Sequence, residues 1–276
     1  LNDGEEVIEW LSAQNWSNGN VGMFGISWGG FNSIQMAMRN PPALKAFVAV
    51  MATEYLYEED VHYIDGIMVA GDSWMMSNDL YNSLPGAPDF TMDEEWYENR
   101  FDVEPSVYKY MRQQRDGPFW DRASAKNKYD LIKIPGYHIG GWYDGYRNSL
   151  PRMIENVSAP VKAMIGPWDH DFPHNAALKP QVEWRHEAVR WFDQWLKGVE
   201  TGILEEPKFA VYIRDYHEPD DSIEYIPGYW RWENEWPPAD SSKQNFYGHD
   251  GHYLSPEKSK FVEHKLKNKP SIGLEG

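Results

Sequence analysis

The chain has 276 residues, no cysteine and a formal net charge of −17. This excludes disulfides, Cys-ligated metals and a thiol nucleophile, and it argues against nucleic acid, whose phosphates need a basic surface. Hydrophobic content of 41% and charged content of 25% fit a globular protein with a sizeable core, and no apolar run reaches the ~18 residues of a membrane span. Neither nucleic acid nor membrane is therefore an expected partner, and a homo-oligomer is compatible with this composition.

Residues 3–14 open on acidic residues and repeat Val7, Ile8 and Leu11 at helical spacing, which predicts a helix. NWSNGN (15–20) reads as a turn, VGMF (21–24) as a short buried strand, and Phe31–Met38 as a helix ended by NPP. LKAFVAVM (44–51) reads as a second buried strand. Helix and strand alternating in this order imply βαβ units and a parallel sheet. The character changes between about Ala52 and Tyr129, where EYLYEED, DSWMMSNDLYNSLPG and DEEWYENRF are aromatic, Met-rich and acidic and favour helices. An inserted helical cap is expected there. Sheet patterning returns with IKIPGYHIGG (132–141), a helix near 146–156 and the strand VKAMIG (161–166). Within 182–198, Trp184, Ala188, Trp191, Trp195 and Leu196 share one helical face, and Gly198 supplies the stop. Past Gly202, PKFAVYIR and NFYGHDGHYL look like strands separated by the Trp- and Pro-rich GYWRWENEWPP. The expected division is an α/β core in 1–51 and 131–204, a cap in 52–130, and a second, all-β domain in 205–276.

The stretch GISWGGF (25–31) holds Ser27 among glycines. Composition alone supplies a G-x-S-x-G with odds of roughly one in ten, so its surroundings must decide. A serine hydroxyl needs a histidine to take its proton and a carboxylate to orient that histidine. On the tight strand-to-helix turn of an α/β-hydrolase, the positions two before and two after the serine must be small. Here they are Gly25 and Gly29, with Gly30 giving the helix room. The partners then follow in the order Ser, Asp, His, each in a loop after a later strand. GGWYDGY presents Asp144 after YHIG, and PWDHDF presents His170 after VKAMIG. Both fall at the carboxyl ends of strands, where ligand sites of open α/β sheets lie. Asp130 precedes a strand, and Asp169 and Asp171 crowd His170 in sequence; His138 alternates within an apolar strand and reads as a core or supporting histidine. DHDFPH brings His170, His174, Asp169 and Asp171 together, but H-x3-H binds metal on a helix and Pro173 interrupts this one. No metal and no cofactor are expected.

GISWGG, GGWYDGY and GPWDH resemble the three catalytic motifs of the Xaa-Pro dipeptidyl-peptidase (S15-type) and cocaine-esterase-like serine hydrolases. EEVIEWLSAQNWSNGNVGMFGISWGG resembles that family's lead-in to its serine, and the likeness runs from near residue 1 to at least Gly202. The resemblance implies an α/β-hydrolase fold with a helical cap and a C-terminal jelly roll. It also implies Ser27 as nucleophile, Asp144 as orienting acid, His170 as base and the N–H of Trp28 as one oxyanion donor, where relatives usually carry Tyr. The family's sheet begins before its serine, and an upstream tyrosine usually supplies the second donor. Neither precedes Ser27 here. The chain is thus expected to be a piece of a longer protein, a partial hydrolase lacking its N-terminal strands and holding the start of the jelly roll, inactive by itself.

Trp142, Tyr143 and Trp74 are candidate pocket walls, the first two by adjacency to Asp144. The acidic residues Glu54, Glu58, Glu59, Asp60 and Asp65 read as a solvated face or as a holder of a substrate ammonium. The expected function is cleavage of a small-molecule ester, amide or short peptide through an acyl-enzyme, as an esterase or acylase. An Xaa-Pro dipeptidyl-peptidase is the alternative that shares the motifs, and a catalytically silent binding protein on the same scaffold is the reading from another class.

Overall fold

The computed structural model describes residues 1–60, 63–64, 66–68, 83–86, 89–251, 253–260, 263 and 265. Its main sheet has six strands lying side by side in chain order: β1 (Val21–Ile26), β2 (Leu44–Val50), β3 (Gly136–Gly141), β4 (Val161–Gly166), β5 (Phe209–Arg214) and β6 (Gly228–Glu233). The first five run parallel, and β6 closes antiparallel on β5. Helices α1 (Asn2–Ser12), α2 (Trp28–Arg39), α3 (Ser149–Asn156) and α4 (Arg185–Lys197) flank it.

The strand period of two decides which helix each residue meets. Ala46, Val48 and Val50 of β2 pack with Ala188 and Trp191 of α4 on one face. Phe47 and Ala49 turn the other way, toward Phe31, Ile34 and Ala37 of α2 and Met153 of α3. A strand covered on both faces needs apolar residues at consecutive positions, hence the unbroken run in LKAFVAVM. Helix α2 stops at Asn40, whose φ of 50° is left-handed and whose N–H returns to Met36 O. Trp191 of α4 is fully buried, sits edge-on to Tyr137 and donates its indole N–H to Phe47 O at 3.2 Å.

The sheet corrects the expected boundary at residue 205. Phe209 and Val211 pack on Leu150, Ile154 and Ile165, and β5 pairs with β4 through Ala163 and Phe209. GYWRWE is likewise a strand, β6, and no connector: Trp230 packs on Trp168 and Tyr212, while Trp236 meets Phe209. Aromatic burial outweighs the turn-like composition of that stretch. Tyr247–His249 and Tyr253–Ser255 form a separate antiparallel ribbon.

Between β2 and β3 the expected helices are short. The described residues hold the hairpin Tyr63–Ile64 with Ile67–Met68. Single helical turns follow at Glu94–Trp96, Tyr97–Phe101, Ser106–Met111 and Pro118–Asp121. Pro105 and Gly117 break the run before the last two, and Pro118 opens the final one. Asp65, Trp74 and most of DSWMMSNDLYNSLPG lie outside the described residues.

Trp191→Ala is expected to cost about 3–5 kcal/mol through the cavity it leaves between α4 and β2. The readout is a lower urea midpoint with an unchanged denaturant slope.

Candidate active site

Strand β1 ends at Ile26, α2 begins at Trp28, and Ser27 stands between them with φ 57° and ψ −122°. A positive φ at a residue with a Cβ costs on the order of 1–3 kcal/mol and persists only where the surroundings over-determine it. Here they do. The Ser27 N–H donates to Val50 O at 2.9 Å, and its carbonyl accepts from Phe31 N at 2.9 Å. Gly25 permits the turn to close, because a Cβ there would lie 2.5 Å from the carbonyl carbon of Gly29.

A second close approach joins the ends of β3 and β4. A Cβ on Gly141 would stand 2.1 Å from Trp168 O, so the two backbones meet where only glycine fits. Trp142 N donates to Gly166 O at 2.9 Å and Tyr143 N to Trp168 O at 3.0 Å, so the two loops run side by side. They carry Asp144 and His170. Asp144 is 4% exposed, and its Oδ1 accepts from Gly145 N and from His170 Nδ1, each at 2.8 Å. An ionised carboxylate only accepts, which puts the proton on Nδ1 and the ring's lone pair on Nε2. The hydrogen bond to Asp144 raises the His170 pKa, partial burial opposes the rise, and the charges of Asp144, Asp169 and Asp171 add to it.

Ser27 Oγ makes no hydrogen bond to His170 among the described residues. Three edge-to-face ring contacts span from Ser27's neighbour to the imidazole instead. Trp28 meets Phe31 at 5.2 Å, Phe31 meets Tyr146 at 5.0 Å, and Tyr146 meets His170 at 5.6 Å. A cavity of about 250 Å³ opens beside His170, lined by Glu59, Asp60 and Ile64 on one side and by Asp144, Gly145 and Tyr146 on the other. A larger one of about 640 Å³ is lined by Trp28, Leu56, Asp60, Tyr110, Phe119 and Trp120 among others.

Two candidate walls turn elsewhere. The Trp142 indole donates to Tyr212 O at 2.6 Å and packs with Leu150 and Val211. Tyr143 lies under the Arg214 guanidinium, with its hydroxyl 3.3 Å from His217 Nε2. Neither lines the cavity beside His170, whose aromatic wall is Tyr146. The signal for Tyr146 was present in GGWYDGY, two residues after the aspartate, where a turn returns the chain toward the pocket. His174 accepts from the Trp184 indole at 3.0 Å. His138 is buried against the Phe47 ring, and burial depresses its pKa to about 3, so it is a neutral core residue. Glu54 and Glu59 are not a solvated face, because both are buried in a fork with Arg152.

The parallel sheet, with its strand-to-helix elbow after β1, has the α/β-hydrolase fold. A CocE/NonD family hydrolase from Staphylococcus aureus superposes with a TM-score of 0.68 over 93% of this chain and 42% of its own, at 20% identity. The chain belongs to the X-Pro dipeptidyl-peptidase (S15) family, whose model matches residues 1–171. It is 25% identical over 283 residues to the cocaine esterase of Rhodococcus sp. (strain MB1 Bresler), covering 89% of this chain and 47% of that esterase. It is 24% identical over 261 residues to the Xaa-Pro dipeptidyl-peptidase of Lactobacillus delbrueckii subsp. lactis, covering 84% of this chain and 31% of that enzyme. The chain thus spans about half the length of the esterase and less of the peptidase.

An NMR titration of the His170 ring is expected to give a pKa above the ordinary 6.5, and Asp144→Asn is expected to lower it. Because the folded-state pKa lies above the unfolded one, the pair's contribution to stability is complete below pH 6.5 and is lost as pH rises through the raised value. Gly25→Ala is expected to cost upwards of about 3 kcal/mol by forcing the elbow open, measured as loss of the cooperative unfolding transition or of soluble yield.

Proposed function

We propose that the complete gene product is a serine hydrolase that splits ester or amide bonds through an acyl-enzyme. In this reading Ser27 Oγ attacks the carbonyl carbon while His170 Nε2 takes its proton. Collapse of the tetrahedral species breaks the bond to the leaving group, which departs with that proton, and water then repeats the sequence on the acyl-serine. Asp144 keeps the imidazole in the Nδ1–H form and stabilises the imidazolium. The N–H of Trp28, at the start of α2, is one donor to the oxyanion; a single such donor is typically worth 10²–10³ in turnover.

The observation that carries the reading is the 2.8 Å Asp144–His170 bond at the same end of the sheet as a serine held at φ 57°. The likeness to a cocaine esterase supports an esterase or acylase, while the larger cavity mixes Trp28, Tyr110, Phe119 and Trp120 with Asn32, Gln35, Arg39 and Arg122 and favours neither substrate class. The dipeptidyl-peptidase reading has one observation of its own. Asp60 is 2% exposed and lines both cavities, which supports its carboxylate as the group that would hold the ammonium of a peptide's first residue.

A fluorophosphonate probe is expected to label the wild-type protein and not Ser27→Ala, with turnover falling by on the order of 10⁴ or more. Labelling of both would remove Ser27 from the role. An aryl butyrate is expected to be turned over faster than Ala-Pro anilide. If the peptidase reading is correct, Asp60→Asn raises KM for the anilide by roughly tenfold more than for the neutral ester; an equal effect on both removes that reading.

A further inference from the structure

The two sides of the cavity beside His170 come from chain segments far apart in sequence. Glu59, Asp60 and Ile64 follow β2, whereas Asp144, Gly145 and Tyr146 follow β3. Behind the cavity one side chain ties these segments together. Arg152, on α3 directly after the Asp144 loop, donates from Nε to Glu54 Oε1 at 2.6 Å and from Nη2 to Glu54 Oε2 at 3.3 Å. The same guanidinium donates from Nη1 to Glu59 Oε1 at 3.1 Å and from Nη2 to Glu59 Oε2 at 2.6 Å. Glu54 is 1% exposed and Glu59 is 7% exposed. Glu54 also accepts from the hydroxyls of Ser149, the first residue of α3, and of Tyr129, the latter at 2.9 Å. The Thr53 hydroxyl lies 3.4 Å from Glu59 and 3.5 Å from Glu54.

Stability alone is a poor reason for such a cluster. Two buried carboxylates share one guanidinium, and desolvating an ion pair generally offsets most of its attraction, so apolar side chains of equal volume would serve a core as well or better. A planar fork does supply fixed distance and orientation, since each carboxylate is gripped by two N–H groups. Glu59 adjoins Asp60, and both line the cavity. Ser149 and Arg152 sit in the first turn of the helix that the Asp144 loop leads into.

We propose that Arg152 is a positioning residue that sets the width of the cavity beside His170, by locking the segment after β2 to the helix after β3. The role rests on the hydrolase reading above. Arg152 acts through Glu54 and Glu59 and leaves the chemistry at Ser27 untouched, so its loss weakens substrate binding and spares the chemical step. Lysine in its place keeps the charge and loses the fork.

The test uses the complete gene product with Arg152→Lys, Arg152→Met and Glu59→Gln, an aryl butyrate ester as substrate, and the rate of labelling by a small fluorophosphonate. Glu59→Gln keeps shape and the Arg152–Glu54 pair, so it reports even if Arg152→Met does not fold. The expected result is a KM raised about tenfold in Arg152→Met, and by a few-fold in Glu59→Gln and Arg152→Lys, with kcat and labelling rate within about twofold of wild type. Unchanged KM in Glu59→Gln and Arg152→Lys, with only the melting temperature lowered, overturns the proposal in favour of a purely structural cluster. A fall in kcat and in labelling at unchanged KM also overturns it. Failure of the hydrolase reading shows separately, as absent labelling of wild type or persistent labelling of Ser27→Ala.

Discussion

Close backbone approach at the carboxyl edge of the parallel sheet governs everything built on it. At Gly25 the elbow folds back until Gly29 occupies the space of a side chain, and at Gly141 the end of β3 presses against the carbonyl of Trp168. The first contact lifts Ser27 above the sheet. The second zips two loops together and fixes Asp144 beside His170. The second rests on β3 and β4, which are buried along their whole length, whereas β1, which leads into the elbow, is a half-exposed strand with Phe24 60% exposed. A methyl group at either glycine acts on the site through the backbone, without touching a functional side chain.

Two histidines near this edge show how environment assigns the chemistry. His138 lies within β3, and burial drives it far below its ordinary range. His170 is only partly buried and carries Asp144 on Nδ1, so its pKa moves the other way. One residue type on neighbouring loops and strands becomes a silent core ring in one case and a basic ring in the other. The difference is one hydrogen bond and a few ångströms of depth.

Much of this was legible in the sequence because it is local. The strands β1 to β4, the helices between them and the order Ser27, Asp144, His170 follow from hydrophobic runs, glycine spacing and the position of each loop after its strand. What escaped depended on distant partners. GYWRWE carries turn-like neighbours and becomes a strand only because Tyr212 and Trp168 offer faces for Trp230. Trp142 and Tyr143 adjoin Asp144, yet the sheet directs one toward Tyr212 and the other toward Arg214, leaving Tyr146 to face the imidazole. Glu54 and Glu59 look like surface charge until Arg152, more than ninety residues away, is seen between them.

The strands on either side of the long segment 51–135 are direct neighbours in the sheet, paired from Phe47 with Gly136 to Val50 with Ile139. Because these two strands are parallel, the segment leaves β2 at the carboxyl edge of the sheet, where Met51 meets Ile139, and re-enters β3 at the opposite edge, where Pro135 meets Phe47. A crossover between adjacent parallel strands must span the sheet from edge to edge, but beyond that span it can lengthen, shorten or be exchanged without disturbing the register beneath it, since loop closure depends only weakly on length. The sheet can then stay fixed in a lineage while the covering segment diverges. The parts that such exchange must preserve lie at its two ends: residues 53 to 60, which meet Arg152, and residues 125 to 134, where Ala125 and Ile132 are buried in the core and Tyr129 donates to Glu54.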